Sequence, residues 1–162
     1  MNEQQRKLAS KFLSPFYLKL YMFWKLPMGL WAGLRVREVN ESRTQVSVPF
    51  KNLNKNPFKS IYFAVQSMAA EMSTALGCTL AIQGHSPSVA FIIVDIHASF
   101  SKKAISRVHF TCEENYKAFE AVKKCVEIGE ATQATFETVG KMKDGTEVAR
   151  FKFTWSFKQR SL

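Results

Sequence analysis

Between Ser60 and Gly77 the chain carries an apolar run with one carboxylate inside it, and this stretch constrains the fold more than any other. Ser60 suits an N-cap and Gly77 a C′ position, so the spacing predicts a helix over 60–77. Apolar or small residues on nearly every face predict a helix buried all round, which other elements must enclose. Such surroundings neutralise or penalise an unpaired charge. Glu71, the carboxylate in question, is therefore the first candidate for function.

The remaining segments supply the enclosure. Leu34–Asn40 and Thr44–Phe50 alternate apolar and polar residues around the turn Glu41-Ser42-Arg43, as a hairpin does. Val89–Phe100 is apolar on both faces over its first half, which predicts a central strand. Ile105–Cys112 reads as a strand and Tyr116–Ile128 as a shorter, more charged helix. Ala131–Val139 and Thr146–Phe157 alternate on either side of Lys143-Asp144-Gly145, a hairpin signal. An antiparallel sheet of about five or six strands curled around one helix follows, an α+β architecture known as the hotdog fold. Residues 33–158 make up this domain.

Residues 1–32 form a separate extension with helical character. Phe12, Phe16, Tyr17, Tyr21, Phe23, Trp24 and Trp31 are interleaved with Lys11, Lys19 and Lys25. Lysines and the prolines Pro15 and Pro27 interrupt it too often for a membrane span or a signal peptide. An amphipathic helix packed on protein and a helix lying at a membrane surface both fit.

The formal net charge of +10 favours polyanionic partners such as coenzyme A, anionic lipid or nucleic acid. No recognition helix or zinc knuckle speaks for nucleic acid. Three cysteines without metal-like spacing suit reduced thiols in the cytoplasm. His85, His97 and His109 share no spacing, so neither a metal set nor a triad is expected, and no cofactor is implied.

Asn56-Pro57-Phe58-Lys59-Ser60-Ile61-Tyr62-Phe63 followed by Met68-Ala69-Ala70-Glu71 resembles an uncharacterised bacterial hotdog family related to PaaI-type acyl-CoA thioesterases. The strand Val94–Ala104 is similar to the thioesterase strand ending in aromatic-x-x-Pro-Ala, with Lys103 in place of the proline. The resemblance implies an acyl-CoA hydrolase whose pocket lies between two subunits. It implies a homodimer, with further pairing into a tetramer left open. Glu71 takes the place of the family's base or nucleophile, and Asn56 that of the residue orienting water or substrate. Where the thioesterases carry His-Gly-Gly, this chain has Tyr62-Phe63-Ala64. The backbone N–H of Phe63 then stands for the glycine that polarises the thioester carbonyl. Tyr62, Ser67, Lys102 and Lys103 are the expected substrate contacts. Four bland readings stand beside these: Glu71 as a structural carboxylate, Asn56 as a turn cap before Pro57, Tyr62 as core or dimer packing, and Lys102, Lys103 and Arg107 as a solvated charge run. The missing glycines also fit a non-catalytic protein that binds acyl-CoA or fatty acyl groups, and a membrane-surface location is compatible with that alternative.

Overall fold

Alternation along the last strand sets the core. In β6 (Glu147–Gln159), Phe151, Phe153, Trp155 and Phe157 all point inward and are buried, while Lys152 and Lys158 point to solvent. The computed structural model describes residues 1–160, and in it six strands form one antiparallel sheet. These are β1 (Arg35–Val39), β2 (Thr44–Val48), β3 (Val89–Phe100), β4 (Val108–Cys112), β5 (Thr132–Met142) and β6, ordered β1-β2-β4-β5-β6-β3. The β5–β6 hairpin turns at Gly145, which sits at φ +85°, and Asp144 Oδ1 accepts a bond from Thr146 N at 3.0 Å.

Three helices, α1 (Glu3–Leu13), α2 (Pro15–Lys25) and α3 (Pro27–Ala32), precede the sheet. The extension is thus not a single helix. Pro15 and Pro27 each lack the N–H that would continue a helix and each opens the next one at its first position. The central helix is α4 (Phe63–Ala81), and α5 (Tyr116–Ile128) packs beside it on β5 and β6. Trp155 Nε1 donates to Thr74 Oγ1 at 3.0 Å, and the hydroxyls of Ser73 and Thr138 meet at 2.7 Å. These bonds satisfy polar groups where α4 crosses the sheet.

The structure shifts three expectations. The central helix begins at Phe63 and ends at Ala81. Ser60 is drawn off by Asn56, whose Oδ1 accepts from its N–H and hydroxyl at 3.1 and 3.2 Å. Gly77 lies inside the helix, where a Cβ would come within 2.5 Å of Asn115 Oδ1, so it serves close packing and not termination. The helix is also not buried all round. Phe63 is exposed and Ser67, Glu71 and Ala75, each four residues on, are half-buried, which leaves one open stripe. Finally, β3 is an edge strand paired only with β6, not a central one. Its apolar outer residues Ile92 and Ile96 are exposed instead of covered.

Candidate functional site

The loop that leads into α4 is held from both sides. Asn54 is buried and its Nδ2 donates to Ala32 O and Pro49 O at 2.9 and 2.7 Å. Tyr62 N donates to Asn54 O at 2.7 Å, and Ile61 N to Ala104 O at 2.8 Å. The second bond ties the loop to the segment after β3 that carries Lys102 and Lys103. Asn56 acts as the cap of the turn: besides Ser60, its Oδ1 accepts from Phe58 N at 3.0 Å. Its Nδ2 makes no hydrogen bond among the described residues and keeps two donors free.

Asn56, Lys102 and Lys103 share one shallow pocket of about 360 Å³, with Phe58, Phe100 and Gln66 also on its wall. Gln66 is a residue that sequence reasoning missed. It is buried, its Nε2 donates to Ile61 O at 3.1 Å, and its Oε1 has no partner among the described residues. An unsatisfied buried acceptor beside a pocket is a place for a ligand N–H. The test applied to Glu71, a polar residue within an apolar helix, would have found it.

At the start of α4 the N-cap Tyr62 gives no side-chain bond, and the N–H groups of Phe63 and Ala64 have no partner among the described residues. A helix N-terminus left open in this way offers donors and a positive field to an oxyanion. The rings at this point pack edge-on, Tyr62 to Phe63 at 4.8 Å and Phe63 to Phe100 at 6.3 Å between centroids. Ser67 Oγ donates to Phe63 O at 2.9 Å, one turn below.

Glu71 stands two turns along the same open stripe. Its carboxylate makes no ion pair or hydrogen bond among the described residues, and burial alone pushes its pKa up to about 7. Eight residues separate it from Phe63, about 12 Å along the axis. A reaction centre lying within about 3 Å of both groups is not formed on one copy of the helix. Arg107 falls apart from Lys102 and Lys103, in a second pocket with Arg35 and Arg37. Among the described residues no group of His, Cys, Asp and Glu is placed to hold a metal ion. The three cysteines are buried and unpaired.

No protein-family model and no curated protein matches the chain. Solved structures do. A Pseudomonas aeruginosa protein of unknown function, described as a probable thioesterase, is 15% identical with a TM-score of 0.71, covering 91% of this chain and 97% of its own. A Chlorobaculum tepidum protein of unknown function is 12% identical with a TM-score of 0.73, covering 91% and 98%. A thioesterase from Haemophilus influenzae is 12% identical with a TM-score of 0.64, covering 90% and 91%. At these identities the likeness establishes the fold. The chain has the α+β hotdog fold of these bacterial proteins.

Proposed function

We propose that the protein is an acyl-thioester hydrolase acting on acyl-CoA, working as a homodimer in the cytoplasm. One observation carries the reading: the only carboxylate of α4 has no partner among the described residues and sits on its open stripe, with burial pushing its pKa up to about 7. A group poised there accepts and returns a proton at physiological pH. Glu71 as carboxylate takes a proton from water while the water oxygen bonds to the thioester carbonyl carbon. The oxyanion that forms is held by the free N–H groups of Phe63 and Ala64. Collapse breaks the carbon–sulfur bond, and the departing thiolate takes the proton from Glu71. The products are a carboxylic acid and the coenzyme thiol.

In this scheme Asn56 Nδ2 orients water or the acyl group, and Lys102 and Lys103 meet the phosphates of the coenzyme. Tyr62 and Ser67 line the acyl approach. A second copy, packed along the β3 edge and the open stripe, supplies the Glu71 that faces the first copy's Asn56 and Phe63. The descriptions of several structural relatives as thioesterases support the reaction class. Free buried thiols suit a reducing compartment.

A second reading, a non-catalytic acyl-binding protein, is favoured by one feature. Aromatic rings crowd the helix start where glycine would leave room. Hydrolysis assays over an acyl-CoA panel separate the two. Turnover by the wild type that falls by roughly 10²–10⁴-fold in Glu71→Gln, with affinity little changed, supports the hydrolase. Binding of acyl-CoA with no turnover transfers the site to the second reading.

A further inference from the structure

The outward side of α2 is the wrong way round for a helix facing water. Only Leu18 and Met22 are buried, one turn apart on the side toward the domain. The opposite side presents Phe16, Leu20, Phe23 and Trp24, with Phe16 and Trp24 each 73% exposed. At 3.6 residues per turn these four share one face, and Lys19 and Lys25 fall on its two flanks. The short α3 continues the surface with Met28 and with Trp31, which is 67% exposed. An apolar face of this extent needs a partner.

Charge identifies the partner. From Gln4 to Arg37 there is no Asp or Glu, while Arg6, Lys7, Lys11, Lys19, Lys25, Arg35 and Arg37 are all cationic. Behind α2, a cavity of about 680 Å³ is bordered by Lys19, Arg35, Arg37, Lys51 and Arg107 and has no carboxylate in its lining. Arg107 Nη1 is buried there without a hydrogen-bond partner among the described residues. None of these five side chains has an ion-pair partner among the described residues. Guanidinium groups gathered without counter-charge match the planar oxygens of a phosphate, and the cavity's apolar floor of Leu18, Met22 and Leu34 suits the start of an acyl chain.

We propose that the outward face of α2 and α3 seats on an anionic lipid bilayer, with aromatic rings at acyl depth, lysines at the headgroups and the Arg35–Arg37–Arg107 cavity taking a lipid phosphate. The attachment is interfacial, since no helix among the described residues is long and apolar enough to cross a membrane. It does not depend on whether Glu71 hydrolyses a thioester.

Co-sedimentation of the full chain with phosphatidylcholine vesicles, with and without phosphatidylglycerol, tests it. Binding is expected only to the anionic vesicles, with a blue shift of tryptophan emission and loss at high salt. Lys19→Glu/Lys25→Glu, both at exposed positions, should weaken binding by roughly tenfold or more. Trp24→Ser/Trp31→Ser should abolish the emission shift. Arg35→Gln/Arg37→Gln should weaken binding to anionic vesicles and leave the melting temperature in place. Equal sedimentation with both vesicle types, or none with either, overturns the proposal. So does a halved mass of the tryptophan variant by light scattering, which would make the face an interface between copies. Full displacement by inorganic phosphate without an emission shift assigns the cavity to a soluble anion and likewise overturns it.

Discussion

Two surfaces of this molecule leave apolar side chains uncovered, and they ask for different partners. Along β3, Ile92, Val94 and Ile96 are exposed beside a row of backbone groups with no strand on their outer side. Another strand satisfies such an edge, because it answers both the side chains and the unpaired N–H and C=O groups. On α2 the backbone bonds are internal, so the exposed rings demand apolar contact and nothing else. Its flanking lysines and lack of carboxylates favour an anionic partner. The demand of the backbone thus separates the face proposed to take a second copy from the one proposed to seat on lipid.

The largest effect bearing on this comparison comes from mixing. Glu71→Gln and Asn56→Ala should each lose most turnover, Glu71→Gln by roughly 10²–10⁴-fold. Re-assorted together, they should recover about a quarter of wild-type activity, since half the dimers then hold one intact site of two. No recovery would place both groups of each site on one copy. Next, Glu71 ties stability to pH. Its folded pKa of about 7 exceeds the ordinary glutamate value of 4.5, so the folded state holds the proton more tightly. Stability from this group is complete below about 4.5, falls as pH rises to 7, and stays lowered above, by at most about 3 kcal/mol. Thermal melts of Glu71→Gln should therefore match the wild type at pH 4 and exceed it at pH 8. A flat difference would mean that a cation from the second copy already compensates Glu71.

On the β3 edge, Ile92→Lys/Ile96→Lys should raise the dimer dissociation constant by about a hundredfold, measured by analytical ultracentrifugation, and lower turnover with it. The smallest effect belongs to the other surface. Phe16→Ser/Trp24→Ser should leave mass and turnover unchanged and shift stability by no more than about 0.5 kcal/mol. A monomer from the α2 variant, or an intact dimer from the β3 variant, would reverse the assignment of the two faces.

Element type was legible along the chain because period-2 and period-3.6 patterns are local properties. The β5–β6 hairpin, α5 and the Val89–Phe100 strand lie where alternation and turn residues place them. The misreadings share one cause. The apolar pattern of β3 is a local property, whereas strand order, which makes β3 an edge, is not. Ser60 resembles a cap, yet Asn56 binds it first. Gly77 resembles a terminator, yet the approach of Asn115 requires it where it is. Glu71 stood out as a lone charge in an apolar helix, whereas Gln66, neutral and equally out of place, did not.

What the sequence determined by itself is the inventory: a central helix with one carboxylate, about five or six strands, and an aromatic, basic extension. Tertiary structure decided which of these residues meet. It put Asn56, Lys102 and Lys103 in one pocket and moved Arg107 to another with Arg35 and Arg37. It opened a single stripe of α4 and left Glu71 on it without a partner among the described residues. The physical reason is range. Propensity and periodicity act over a few residues, while burial, and with it the charge state of Glu71, is fixed by segments far apart in the chain.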